Sequence, residues 1–312
     1  MATYFAPLAE GLGDAIVSLP LLFALINQGE TFLVARCPRQ EGLTEAIEGL
    51  AGTVREVDLK DQLQHGDRYI NIRDHKLQTE FVWGSTEFSE RYKGFRVNDI
   101  LGVMARDFGI EANFEKPHPL LFTRRKESEG KIVFVPGTMT TAKTWSTQNW
   151  ITLNRMLSES GFGVVMVGQP DRNEVVQELV SAGLDWISTP AVQDAIDVVS
   201  SAAAVVSVDT GLMHIAVQQG IPSVVLFQGY AVYYRPYPAC IPIFSPLCAK
   251  PCLDFQANLR PNSSIEYKKW LWWDKCSDDC LVLESERCTN LISPSQVFEK
   301  VLSCRSSVRS GI

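Results

Sequence analysis

Basic residues are in short supply: 29 Lys and Arg stand against 36 Asp and Glu, giving a formal net charge of -7 and a pI near 5.3. Neutralising a polyphosphate backbone needs clustered Lys and Arg, so nucleic acid is excluded as the main partner. Long apolar runs are missing too. The stretch from Ala15 to Ile26 is too short and too interrupted to span a bilayer, and Met1 to Tyr4 lack the basic n-region of an export signal. The expectation is a cytoplasmic protein whose membrane contact, if it has any, is peripheral and at the inner membrane. No low-complexity tract, no repeat of solenoid length and no His-Glu-x-x-His pattern occurs. Cysteine is almost absent from the first half: Cys37 stands alone there, and the other seven of the eight crowd between Cys240 and Cys304. Since the cytosol keeps thiols reduced, a disulfide framework is not expected.

What is present is ordinary for a globular protein, with 46% hydrophobic and 21% charged residues over 312 positions, enough for two domains. From Lys131 onward, short apolar strands alternate with amphipathic helices. Strands are expected at Ile132 to Val135, Gly163 to Val167, Ala204 to Val208 and Ser223 to Phe227. Helices are expected at Asn149 to Ser160, Asp171 to Ala182, Val192 to Ser201 and Leu212 to Gln219. Unbroken β-branched runs such as Ala204-Val205-Val206-Ser207-Val208 suit strands covered on both faces, which makes the pattern a parallel, doubly wound sheet. The first half repeats it less cleanly, with strands expected at Thr3 to Pro7, Thr31 to Ala35, Thr53 to Val57 and Arg68 to Ile72. The polar segment Thr123 to Gly130 is read as the linker, which divides the chain into domains 1-127 and 128-312. After Phe244 the pattern fades into Pro-, Trp- and Cys-rich sequence, and a helix from Ser293 to Cys304 closes the chain.

Three strand-to-helix loops carry chemistry. In Val208-Asp209-Thr210-Gly211-Leu212-Met213-His214, a helix start offers unpaired N–H groups to an anion, Gly211 lets a phosphate approach and Thr210 adds a hydroxyl. The competing reading is a plain helix cap by Asp209 or Thr210. In Glu10-Gly11-Leu12-Gly13-Asp14, the glycines allow tight backbone near a ligand. Asp14 is there either a cap or a carboxylate facing an interdomain cleft, ionised at neutral pH if its pKa stays near about 3.9. The polar loop Thr140 to Trp145 follows a strand, and a parallel sheet aims its Lys143 at the same cleft, where an ammonium can neutralise a leaving phosphate. His214 is read as orienting a ligand, with a packed structural histidine as the alternative.

These residues carry a resemblance. Gly11 to Pro20, Val135-Pro136-Gly137, Lys143-Thr144-Trp145 with Trp150, Val167-Gly168, and Asp209 to His214 ending in Gly220-Ile221-Pro222-Ser223 resemble, in order, the motifs of glycosyltransferase family 9, the ADP-heptose:lipopolysaccharide heptosyltransferases and their relatives. The resemblance implies an α/β fold of GT-B type, two facing Rossmann-like domains with parallel sheets and an interdomain cleft. It also implies inverting, metal-independent transfer of a sugar from a nucleotide diphosphate donor, ADP-heptose above all, to a hydroxyl of a glycan or lipid-linked glycan such as lipopolysaccharide core. Asp14 corresponds to the catalytic base. Thr140, Thr141, Lys143, Asp209, Thr210, Gly211, Leu212 and His214 correspond to the donor site, with Gly168 and Asp171 toward the adenosine. Gly13, Arg73, Asp74 and His75 are placed on the acceptor side, a solvated strand end being the alternative for the last three.

The chain departs from the family just before the glycine turn, where Pro7-Leu8-Ala9-Glu10 stands in place of Lys or Ser. Its other departure is the cysteine segment, 240-290. Cys248, Cys252, Cys276 and Cys280, with Cys288 as a further ligand, supply enough thiolate for a structural Zn or Fe, free or buried thiols being the alternative. No cofactor is required by the implied chemistry. The other readings are a GT-B transferase with another nucleotide sugar or a protein acceptor, and a non-catalytic sugar-nucleotide-binding protein.

Overall fold

The computed structural model describes residues 3–28, 32–35, 43, 54–57, 64–118, 120–138, 143–228, 232–247, 254 and 287–309. Two parallel sheets organise them. The first contains β1 (Thr3–Ala6), β2 (Phe32–Ala35), β3 (Val54–Val57) and β4 (Arg68–Asn71), side by side as β3-β2-β1-β4. Thr3 is in register with Phe32 on one side and Arg68 on the other. The second contains β5 (Ile132–Val135), β6 (Val164–Val167), β7 (Trp186–Ile187), β8 (Ala204–Val208), β9 (Ser223–Phe227) and β10 (Cys240–Phe244), in the order β10-β9-β8-β5-β6-β7.

Both orders share a logic. The chain steps outward from the first strand of each sheet, then crosses back and continues on its other side. The reversal falls between β1 and β4 in one sheet and between β5 and β8 in the other. In doubly wound sheets the crevice beyond the carboxyl ends at such a reversal is where ligands bind.

Among the described residues the helices are α1 (Leu12–Asn27), α2 (Lys76–Thr79), α3 (Thr86–Arg91), α4 (Val97–Asp107), α5 (Thr147–Glu159), α6 (Glu174–Ser181), α7 (Val192–Ser200), α8 (Gly211–Gln218) and α9 (Pro294–Arg309), with a 3-10 turn at Cys288–Leu291. On one face of the second sheet, α5, α6 and α9 bury Trp150, Leu153, Val176, Val297 and Val301 against Phe134 and Val206. On the other face, Ile196, Val199, Ile215 and Ala216 of α7 and α8 merge with Ile16, Leu19 and Leu25 of α1 into one apolar cluster that continues to Phe5 and Ile70 of the first sheet. That continuity explains why α1 is apolar nearly all round rather than amphipathic: it is wedged between the halves, against α8.

The structure shifts several expected boundaries. Helix α6 starts at Glu174, not Asp171, because the Asn173 side chain accepts from Val176 N–H and caps it. The segment read as a linker is tied down, since Thr123 N–H donates to Asp197 and Arg125 N–H to Ser201, both on the second half. Strands β7 and β10 and helices α2 to α4 went unread. β10 contains Pro242, which a strand tolerates at the edge of a sheet.

Candidate active site

The loops leaving β1, β4, β5 and β8 flank the two reversals, and most of the residues singled out above lie on them or on the helix turns that they lead into. Their meeting point is the contact between the first turns of α1 and α8. A Cβ on Gly211 would stand 2.9 Å from the backbone N of Gly13 and 2.9 Å from Leu12, and one on Gly13 would stand 2.9 Å from His214. On the side where a Cβ would stand, each glycine is covered by the opposite helix. The glycines let two helix N-termini, one from each half, abut.

Around this contact lie the charged groups. Asp14 occupies the first turn of α1 and accepts from Gly11 N–H at 3.1 Å, so it caps the helix and faces the other half at once. The withdrawal of water around it pushes its carboxyl up to about 6, against the opposing pull of Lys143, the Gly11 N–H and Arg73. Lys143 Nζ is 2.7 Å from Asp209 Oδ2, with both side chains largely shielded at 17% and 9% exposure. The same ammonium sits over the ring of Tyr233, 5.0 Å from its centroid.

His214 Nε2 lies 3.8 Å from the other Asp209 oxygen. Burial drives this imidazole down to about 3, and the pull of Asp209 does not reverse it, so the pair is a neutral ring beside a carboxylate and not an ion pair. Thr210 holds the N-cap position of α8 but makes no side-chain capping bond. The first N–H groups of α8 therefore remain uncapped by that side chain.

Lys143 is aimed by its neighbours in the chain. Thr144 accepts from Arg287 on its hydroxyl and from Thr289 on its carbonyl, Trp145 donates to the Ile292 carbonyl, and Ser146 N–H donates to Asn290. Trp145 packs edge-on against Trp150, centroids 5.0 Å apart, with both rings fully buried. The second half thus uses its 3-10 turn to clamp the lysine loop.

The other expected residues divide. Arg73 reaches Glu10 at 3.5 Å and contributes to the field at Asp14, so it lies beside the charged cluster. Asp74 closes a local turn with Asn71. His75 is neither a solvated strand end nor a lining residue: it is buried, its Nδ1 accepts from Leu77 N–H to cap α2, and its Nε2 is 3.1 Å from Asp107. That pairing fixes the proton on Nε2 whenever the ring is neutral. Gly168 packs against Val176, which a Cβ would meet at 2.8 Å. Asp171 is exposed in the turn before α6, beside Arg172. Leu212 packs on the apolar cluster between the halves.

Thr140, Thr141, Cys248, Cys252, Cys276 and Cys280 lie outside the described residues. Among the described residues no group of three or more His, Cys, Asp or Glu is placed to hold a metal, and Cys288 sits in the 3-10 turn, where its carbonyl accepts from Ser245.

Tyr233 was missed. It leans on Trp83 of the first half, ring centroids 5.6 Å apart, and lies in the fields of both Asp14 and Asp209, which together with burial raise its phenol above the ordinary range. The signal was available: Tyr233, Tyr234 and Tyr237 come within ten residues after the end of β9, a strand beside β8.

Two Rossmann-like sheets with facing reversals, joined by a carboxylate, a lysine and an open helix start, define a GT-B glycosyltransferase. The family model for glycosyltransferase family 9 (heptosyltransferase) matches residues 76–259, more than half of the chain, and the chain belongs to that family. A search of curated proteins returns no match.

Among solved structures, the family 9 glycosyltransferase of Veillonella parvula is similar over 97% of this chain and 96% of its own, with 15% identity and a TM-score of 0.64. The iron-containing dodecameric glycosyltransferase TibC of enterotoxigenic E. coli is similar over 98% of this chain and 76% of its own, with 13% identity and a TM-score of 0.62. TibC has also been solved in complex with ADP-D-beta-D-heptose. The E. coli ADP-heptose lps heptosyltransferase II is similar over 99% and 100%, with 14% identity and a TM-score of 0.58.

Proposed function

We propose that this glycosyltransferase moves heptose from ADP-heptose to a hydroxyl of a glycan or lipid-linked glycan, of which lipopolysaccharide core is the favoured kind, with inversion and without a catalytic metal, at the cytoplasmic side of the inner membrane. The observation that carries the reading is the convergence of Asp14 from the first half with Lys143, Asp209 and the α8 start from the second. The heptosyltransferase family and the ADP-heptose complex of TibC support the choice of donor.

In this mechanism Asp14 takes the proton of the acceptor hydroxyl. The oxygen attacks the anomeric carbon from the face opposite the leaving group, and the bond from that carbon to the diphosphate oxygen breaks. Lys143 and the uncapped N–H groups of α8 hold the charge that develops on the departing diphosphate, a role that positioned donors fill as well as a cation does. With its pKa at about 6, Asp14 is about 90% ionised at pH 7 and its conjugate acid is close enough to neutrality for efficient transfer.

The test is calorimetric titration with a panel of ADP-, GDP- and UDP-sugars, followed by turnover with the donor that binds. Selective binding of an ADP-sugar, weakened in Lys143→Ala, is the expected result. Binding of a different nucleotide sugar would reassign the donor, and binding of none would remove the reading.

A further inference from the structure

Pro20 lies inside α1. A proline has no N–H, so the carbonyl four residues earlier, that of Ile16, loses its helical donor in the interior of a buried helix. The missing donor comes from the other half of the molecule: Arg235 Nη1 is 3.4 Å from the Ile16 oxygen. Arg235 is fully buried, and among the described residues it forms no ion pair with a carboxylate, while its Nε has no hydrogen-bond partner.

A guanidinium stripped of water and left without a counter-ion is costly, and its neighbours show what holds it. Nη2 donates to the Tyr237 hydroxyl at 2.7 Å, the guanidinium carbon lies 4.6 Å from the Tyr237 ring centroid, and the Tyr237 hydroxyl donates in turn to the Lys116 carbonyl at 3.2 Å. One short segment of the second half thus grips two backbone carbonyls of the first.

We propose that Arg235 is a positioning residue for glycosyl transfer: by binding the Ile16 carbonyl that Pro20 orphans, it fixes the first turn of α1, and with it Asp14, against the donor half. Ile16 is two residues from Asp14 on the same turn. Helix α1 otherwise meets α8 through glycines, apolar side chains and the His214 ring, which set its distance. Ser18 stiffens the same turn from the other side, with its hydroxyl donating to the Asp14 carbonyl at 2.5 Å and accepting from Leu8 N–H. The directional contact that α1 itself receives from the other half is the one from Arg235 Nη1. Pro20 and Arg235 act as a matched pair, the first creating the acceptor and the second satisfying it.

The role of Asp14 in this inference rests on the transferase reading above. The experiment compares wild type, Arg235→Met, Pro20→Ala and the double variant for donor dissociation constant, kcat and thermal unfolding. Arg235→Met is expected to lower kcat tenfold or more while donor affinity stays within twofold. Pro20→Ala on that background is expected to restore a large part of the loss, since the backbone N–H that alanine brings to this position returns a donor to Ile16. Losses that multiply without rescue, or a loss confined to donor affinity, would overturn the proposal.

Should Arg235→Met not fold, Arg235→Lys takes its place in the cycle, keeping the charge but not the fork. An inactive wild type would sink the transferase reading by itself. The pairing would still be judged on unfolding, where Arg235 substitution must shift the midpoint less in the Pro20→Ala background; an equal shift would overturn it.

Discussion

Asp14→Asn separates what this carboxylate does for chemistry from what it does to the fold. Asparagine has the same shape, and its carbonyl oxygen can still accept from Gly11 N–H, so the cap of α1 survives. The charge does not. The folded pKa of about 6 stands against 3.8 for the ordinary group, so the folded protein holds a proton on Asp14 that the unfolded chain releases between those values. Stability therefore falls as pH rises from about 4 to 6, and above pH 6 the ionised carboxylate weighs against the fold by up to about 3 kcal/mol. Asp14 keeps some contact with solvent, which screens part of this and leaves about 1–2 kcal/mol. The variant should unfold a few degrees higher than wild type at pH 8, with the difference vanishing toward pH 4, in thermal scans followed by tryptophan fluorescence. Turnover, followed as release of nucleotide diphosphate, should drop by about 10²- to 10⁴-fold, the usual contribution of a general base. In wild type kcat/KM should fall tenfold per unit below pH 6. Retained turnover in the variant, or a wild-type profile flat down to pH 4.5, would refute the assignment of the base.

Four further outcomes follow from the same geometry. Lys143→Ala should weaken donor binding by about 10- to 100-fold, and because Lys143 holds the Asp14 carboxyl down it should also move the acid limb of the pH profile upward; a limb that stays in place would show that the two do not share a field. Gly211→Ala forces a methyl into the Gly13 backbone and Leu12 and should destabilise by about 1–3 kcal/mol on denaturant unfolding, with a negligible change arguing that α1 and α8 are not in contact. The His214 ring should stay neutral from pH 5 to 8, visible as a flat resonance in histidine-labelled NMR, whereas a titrating signal assigned to it by His214→Gln would contradict its burial. Transfer should persist in excess EDTA with no added metal, since in the proposed mechanism Lys143 and the α8 start carry the leaving charge; an absolute need for a divalent cation would remove that part of the mechanism.

The second half was legible because its strands are short, Val-rich apolar runs between helices of clear period, and β5, β6, β8 and β9 fall within a residue of where that pattern puts them. The parallel, doubly wound sheet followed from the alternation of strands and helices, and the GT-B type from the resemblance to family 9. What stayed hidden depends on contacts between distant segments. Nothing local in Arg73-Asp74-His75 announces that the third residue turns inward to cap α2 and meet Asp107, 32 positions away. Gly13 and Gly211 look like ligand-facing glycines until the opposing helix is in place. Pro20 and Arg235 lie far apart in the sequence, and only together do they explain each other. β10 lacks the β-branched run of its neighbours because an edge strand has one partner and can hold a proline.

The resting arrangement has a consequence for how the site can work. Two helix N-termini that abut place two partial positive charges of about half a unit each side by side, and Lys143 adds a full one. Asp209 and Asp14 are the described carboxylates in that field, and Asp209 is already engaged by Lys143. Burial nonetheless raises Asp14 rather than lowering it, so desolvation outweighs the positive surroundings. A diphosphate arriving at the start of α8 would compete with Asp209 for the ammonium and bring negative charge of its own. Under the proposed transfer, the contact that joins Lys143 to Asp209 would act as a placeholder of the right sign: it keeps the lysine aimed and partly desolvated, and an arriving anionic donor would free the lysine by replacing the carboxylate.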